Sequence, residues 1–275
     1  MAFSPDGKTL ASGGNTEQVD LWDVDSKRKI VTSSLERGTF SAVESLTYSP
    51  DGAILASGNY DGSIMLLDSA TQNATATFTD HTGSVWTVAF SPNGSLLASG
   101  GKDATIRLWD VASAENTVTL TAEGPVSVVA FNPRDSSLAS MSTGIIQFWD
   151  IASRSVSATL RGPSGSMAFK PDGSTLATGF GDSVRLWDLE SHKVIATLKG
   201  HRKDVNALAF SPNGALLASG GGDDNTVRLW DVPNRSSIAT LSLSGWVASV
   251  TFSPDGAFLA AASQSNDGIR LWRVS

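Results

Sequence analysis

The chain has 275 residues, 20 basic against 27 acidic side chains, a formal net charge of −7 and no cysteine. Disulfides, thiolate catalysis and cysteine-bound zinc are therefore excluded, and scattered Lys and Arg on an acidic chain argue against nucleic acid, which needs a clustered basic footprint. No apolar run approaches the roughly 20 residues of a membrane helix and Met1 to Gly7 shows no signal-peptide pattern, so membrane insertion is not expected and a cytoplasmic location is.

One pattern recurs along the chain. An aromatic residue (Phe3, Tyr48, Phe90, Phe131, Phe169, Phe210, Phe252) precedes a Ser-Pro-Asp-Gly-like turn, then Leu-Ala-Ser-Gly, then a strand closing on tryptophan. The tryptophans are Trp22, Trp109, Trp149, Trp187, Trp230 and Trp272, with Leu67 standing in once. Successive tryptophans lie about forty residues apart, the period of a four-stranded propeller blade. Seven such units follow one another with no linker, so residues 1–275 read as a single domain.

The predicted elements follow this period in chain order. The first unit opens inside its strand a, at Met1. In the second, Ser49 to Gly52 forms a turn in which proline presets φ and glycine accepts φ > 0. The same reading applies to Ser91–Gly94, Ser211–Gly214 and Ser253–Gly256. The third unit shows all four strands: a at Val85 to Phe90, b at Leu96 to Ser99, c at Thr105 to Trp109 and d at Val118 to Leu120. Apolar and polar residues partly alternate in c, and no helical period appears. In the fifth unit, Gly162-Pro163-Ser164-Gly165-Ser166 occupies the loop before strand a, and His192 falls in a solvated c–d turn. The sixth carries Asp223-Asp224-Asn225 after three glycines. That spacing lacks the calcium-loop frame, and a b–c turn with one inserted residue explains it. The seventh unit stops after strand c, at Val274-Ser275. A four-stranded blade is apolar on both faces and must be sandwiched by neighbours, which a ring of blades provides. The expected fold class is all-β, a seven-bladed β-propeller whose last blade lacks its outer strand.

With these motifs the chain resembles the WD-repeat family over essentially its whole length. The resemblance implies a buried tetrad of Asp, His, Ser or Thr, and Trp bracing a blade. Two units match it by position: His81, Ser99, Asp103 and Trp109, and His201, Ser219, Asp224 and Trp230. Such a network rigidifies its surroundings when every buried polar group is paired. The second unit keeps Ser57 and Asp61 but has Leu67 and no Gly-His. The fourth has Thr143 at the turn-acid position, the fifth and seventh have the shifted acids Asp182 and Asp267, and the first has Glu17. Those blades are expected to rest more on apolar packing. The resemblance also implies that an N-terminal strand normally completes the last blade. Its absence leaves an open edge on strand c of the seventh unit, where another strand can pair.

Site residues follow by elimination and by resemblance. No nucleophile elbow, P-loop, dinucleotide fingerprint or metal-ligand spacing occurs, so no catalytic residue, cofactor or metal is expected. Two tryptophans, Trp86 and Trp246, lie outside the repeat. Trp86 stands near the start of strand a and Trp246 in a d–a loop, regions that the resemblance places on the partner-binding top face. Tyr60 and Lys102 precede the turn acids, and Glu44 and Asn206 occupy the position of Trp86. Exposed aromatics are enriched at binding hot spots, whereas tryptophans packed between blades are equally compatible with the sequence. The expected role is a non-catalytic scaffold for a protein or peptide partner. The alternative is a regulatory or sensor module of a larger protein, next to an ATPase or kinase domain.

Overall fold

A computed structural model of the protein describes residues 1–15, 18–34, 42–264 and 268–274. Every regular element among them is a β-strand. The first sheet holds β1 (Ala2–Phe3), β2 (Thr9–Gly13), β3 (Gln18–Asp23) and β4 (Arg28–Ser34), and the second β5 (Val43–Tyr48), β6 (Ile54–Asn59), β7 (Ile64–Asp68) and β8 (Ala74–Phe78). The third holds β9 (Val85–Phe90), β10 (Leu96–Gly101), β11 (Thr105–Asp110) and β12 (Glu115–Thr121), and the fourth β13 (Val126–Phe131), β14 (Leu138–Ser142), β15 (Ile145–Asp150) and β16 (Ser155–Arg161). The fifth holds β17 (Met167–Phe169), β18 (Thr175–Phe180), β19 (Ser183–Asp188) and β20 (Lys193–Lys199), and the sixth β21 (Val205–Phe210), β22 (Leu216–Gly221), β23 (Thr226–Asp231) and β24 (Ser236–Ser242). The seventh holds β25 (Val247–Phe252), β26 (Phe258–Ser263) and β27 (Ile269–Arg273). Strands pair antiparallel in chain order, four in each of the first six sheets and three in the last. These are the blades of a seven-bladed β-propeller with a three-stranded last blade.

The turns explain why the strands fall where they do. In the third sheet the Ser91 hydroxyl donates to Asn93 at 2.7 Å and receives the Leu96 N–H at 3.0 Å, while Gly94 takes φ 73°. The aspartate that closes the third strand caps the next turn. Asp23, Asp68, Asp110, Asp150, Asp188 and Asp231 each accept the backbone N–H three residues on, at 2.7–2.9 Å. This Asx turn holds the following residue, such as Lys27, Ala114 or His192, at φ 54–58° without a glycine. The reversal is tight enough that β12 starts at Glu115, earlier than the expected Val118.

Contacts divide the chain into two units. The first comprises Met1–Phe131, Ser136–Thr143 and Gln147–Ala158, the second Asn132–Asp135, Gly144–Ile146 and Thr159–Ser275. Within the first unit, successive sheets bury their faces on each other. Ala56, Ile64, Leu66 and Phe78 of the second sheet pack on Val85, Val88, Leu97 and Trp109 of the third. Within the second unit, Ala177, Val184, Leu186 and Leu198 pack on Val205, Leu208, Leu217 and Trp230 in the same way. The fully buried aliphatic side chains contribute about 1.5–3 kcal/mol each by burial.

Candidate functional site

Two polar networks stand inside these cores. In the third sheet, Trp109 Nε1 donates to Ser99 Oγ at 2.9 Å, Ser99 Oγ lies 2.7 Å from His81 Nε2, and His81 Nδ1 lies 2.9 Å from Asp103 Oδ2. The Asp103 carboxylate also accepts the Thr82 and Thr105 N–H groups at 3.0 Å and Thr105 Oγ1 at 2.8 Å. The sixth sheet repeats the arrangement. Trp230 Nε1 to Ser219 Oγ is 2.8 Å, Ser219 Oγ to His201 Nε2 2.7 Å, and His201 Nδ1 to Asp224 Oδ2 2.8 Å. Burial pushes both histidines below the ordinary imidazole range, against the opposing pull of Asp103 or Asp224. Burial works to raise both carboxyls, but their hydrogen bonds outweigh it and hold them below the usual carboxylate range. At neutral pH each pair is a neutral imidazole donating to a carboxylate.

The other sheets keep pieces of this network. Trp22 donates to Ser12 at 2.8 Å, Trp149 to Ser140 at 2.8 Å and Trp187 to Thr178 at 2.9 Å. In the second sheet Leu67 replaces the tryptophan, and the buried Ser57 Oγ has no hydrogen-bond partner among the described residues. In the seventh, register places Ala261 where the others carry the hydroxyl. The residue two past that hydroxyl changes with the histidine. Where histidine is present it is Gly101 or Gly221, and a Cβ on Gly221 would meet Asp224 Oδ1 at 2.0 Å and His201 Nδ1 at 2.6 Å. In four of the sheets without histidine the residue carries a side chain, Asn59, Ser142, Phe180 or Ser263, whereas the first sheet keeps Gly14. The Phe180 ring stands under Gly162 and stacks with Arg185 at 3.2 Å. Glu17 and Asp267 lie outside the described residues. Ser164 N–H donates to Gly179 O at 2.8 Å and its Oγ accepts the Gly181 N–H at 3.1 Å, which pins the 162–166 loop to its own sheet. His192 is exposed at its turn.

Glu44, Trp86 and Asn206 share a backbone device that the sequence does not display. In each of these sheets the register of the first strand skips one residue after Val43, Val85 or Val205. The skipped residue is Glu44, Trp86 or Asn206, in a β-bulge that re-aims its side chain. Ser127 and Ala248 are the skipped residues of β13 and β25. Glu44 is exposed, Trp86 is 36% exposed and Asn206 is half-buried. In the first unit Tyr60, 58% exposed, and Lys102 come together on one cleft of about 430 Å³, with Asp61, Thr82, Gly83, Ser84 and Asp103. Glu44 and Trp86 do not line that cleft. In the second unit, Trp246 is 44% exposed. A Cβ on Gly222 would meet Trp246 Nε1 at 2.7 Å and Asn206 Nδ2 at 2.8 Å. The missing side chain at 222 thus lets the indole and the amide converge. Among the described residues no group of three or more His, Asp or Glu side chains is placed to hold a metal ion.

The family model for the WD domain, G-beta repeat, matches residues 1–23, 30–68, 72–110, 154–188, 192–231 and 235–273, well over half of the chain. The chain belongs to the WD-repeat family. The longest unmatched segment, 111–153, contains β13, β14 and β15, so the fourth blade is present despite its weak motif. The chain is similar to Periodic tryptophan protein 2 homolog of Caenorhabditis elegans, 31% identical over 91 residues, covering 32% of this chain and 10% of the relative. It is similar to WD repeat-containing protein 18 of Homo sapiens, 44% over 50 residues, covering 18% and 11%. WD repeat-containing protein VIP3 of Arabidopsis thaliana matches at 38% over 79 residues, 25% of each chain. The matched stretches span a tenth to a quarter of these relatives. A WD-repeat propeller is a scaffold type that serves protein interaction. No helix among the described residues is long and apolar enough to cross a membrane.

Proposed function

We propose that residues 1–275 act as one non-catalytic scaffold and that its loop surfaces bind a peptide or protein segment. Glu44, Tyr60, Trp86 and Lys102 form the binding group of the first unit, Asn206 and Trp246 that of the second. The observation that carries this reading is the exposure of Tyr60, Trp86 and Trp246 beside networks as tightly bonded as the two tetrads. A rigid framework carrying amphipathic rings loses little entropy on binding. A cytoplasmic location belongs to the same reading and rests on the sequence alone.

The test is affinity for peptides selected from a random library on the wild-type protein. Truncating a hot-spot side chain costs about 2 kcal/mol, close to 30-fold in Kd. Trp86→Ala, Tyr60→Ala or Trp246→Ala is expected to lose that much. If all three bind every selected peptide as wild type does, the site lies elsewhere. A second reading, a regulatory module of a longer protein, is favoured by the greater length of some of the matched relatives, and flanking gene sequence decides it.

A further inference from the structure

The seam between the first and second sheets lacks the apolar pair that fills three of its counterparts. Ile54 and Val111 close the seam between the second and third sheets, Leu96 and Ile151 the next, and Leu216 and Val274 that between the sixth and seventh. The equivalent positions by register and backbone bonding are Thr9 and Ser69. Neither is apolar, and neither belongs to the cluster formed by Val19, Leu21, Val43 and Leu55 at this seam. Ser69 turns its hydroxyl away onto Gly52 O. The result is a cleft of about 340 Å³, at the low end of the roughly 300–1,000 Å³ typical of ligand pockets, sized for one side chain.

Its chemistry is mixed in a specific way. Leu21, Ile30 and Val31 form an aliphatic wall, and Ile30 and Val31 stay 54% and 39% exposed. Tyr48 stands where the other units have phenylalanine and brings a phenol. Asp6 and Asp51 are the charged residues of the lining. Each uses Oδ1 to cap its own turn, Asp6 accepting Ser4 Oγ at 2.6 Å and Lys8 N at 3.1 Å, Asp51 accepting Ser49 Oγ at 2.6 Å and Ala53 N at 3.0 Å. Those bonds keep both carboxyls ionised, while Asp6 Oδ2 lies 4.0 Å from the largely solvated Lys8 ammonium.

We propose that this seam cleft receives an arginine or lysine side chain of a partner protein, its stem along Leu21, Ile30 and Val31 and its cation on Asp6 and Asp51. An apolar wall in a cleft that also carries two carboxylates complements a long aliphatic stem ending in a charge. The cleft lies at the a–b and c–d turn end of its sheets, opposite the b–c turns of Tyr60 and Lys102, so it is a second surface.

The probe is N-acetyl-arginine methylamide, titrated into the folded 275-residue chain and followed by methyl and aromatic NMR signals of Ile30, Val31 and Tyr48. The neutral isostere N-acetyl-citrulline methylamide is expected to bind about ten-fold more weakly, the loss of a charge-assisted pair. Asp6→Asn with Asp51→Asn keeps the turns, because Asn93 and Asn213 cap the equivalent ones through Oδ1. That variant is expected to abolish the preference for arginine. Thr9→Leu with Ser69→Val gives the seam the filling of its neighbours and is expected to fold and to bind neither probe. Equal binding of arginine and citrulline by wild type overturns the proposal. So does retained arginine binding in the folded, filled variant.

Discussion

Asp103→Ala isolates what a complete tetrad contributes. The His81 side chain is fully buried, so its Nδ1–H loses an acceptor that water cannot replace. An unsatisfied buried donor costs about 1–3 kcal/mol. The Thr82 and Thr105 N–H groups lie at the turn surface and regain water, so they add little. Thr105 Oγ1 lies 3.2 Å from Nδ1 and, once released from Asp103, can accept the imidazole proton, which keeps the loss toward the lower end. Asp103→Ala combined with Thr105→Val removes that fallback and is expected to lose more than the sum of the single variants. Asp61→Ala serves as the control. Asp61 accepts Ser63 N at 2.9 Å and Ser63 Oγ at 2.6 Å at an exposed turn with no histidine behind it. Its expected cost is about 0.5–1 kcal/mol, the net worth of ordinary hydrogen bonds. Urea midpoints at unchanged slope measure all four variants. Equal losses for Asp103→Ala and Asp61→Ala would sink the reasoning, because the histidine would then contribute nothing.

Adjacent glycines of the sixth sheet separate stability from binding. Gly221→Ala drives a Cβ into Asp224 and His201 and is expected to destabilise at least as much as Asp224→Ala in the same urea assay. Gly222→Ala meets the Trp246 ring and the Asn206 amide first, side chains rather than backbone; it is expected to alter Trp246 fluorescence and peptide binding with a small change in midpoint. Acid has a defined sign here. His81 and His201 titrate below their unfolded value of 6.5, so the unfolded chain binds more protons there and stability, full above that pH, declines as pH falls beneath it. Asp103 and Asp224, held below 3.8, add a second decline under that value. Replacing both histidines with glutamine should remove the upper step in pH-dependent denaturation, and an unchanged profile would refute the assignment.

Much of the fold is legible because the repeat encodes it at several levels at once. The turn residues, the apolar alternation and the tryptophan period all give one answer, so even the fourth blade, with Thr143 for the acid, takes four strands. The tetrads are legible because each polar member has a fixed place. The partial networks of Ser12, Ser140 and Thr178 carry the same signal, a hydroxyl nine or ten positions before tryptophan. The capping role of the aspartate after tryptophan is harder to see, since nothing in Lys27 or Ala114 announces a left-handed residue. The bulges at Glu44, Trp86 and Asn206 leave no sequence trace at all, because a skipped residue is a property of two paired strands. The seam cleft is intermediate. Thr9 and Ser69 look like ordinary strand residues until register sets them beside Leu96 and Ile151.

The seventh sheet provides the last test. β27 pairs with β26 from Ile269 to Arg273 and carries no further strand among the described residues. In the third sheet the same strand is covered by β12 and buries Trp109 to 2% exposure. In the seventh, Trp272 is only half-buried, and Ala261 offers its indole no hydroxyl. Two stabilising contributions are therefore missing together, the outer ladder and the tryptophan bond. An uncovered strand is also a template for pairing. It carries Arg270 and Arg273, and charged residues on an edge strand are the kind that discourage uncontrolled association. In the monomeric 275-residue chain, alternate amides of Ile269 to Arg273 should exchange with solvent well before those of Thr105 to Asp110. A synthetic peptide with the sequence of Ser236 to Ser242, the outer strand of the sixth sheet, should slow that exchange when added. If these amides are as protected as their counterparts in β11 without any peptide, the edge is already covered, and strand addition at this blade is ruled out.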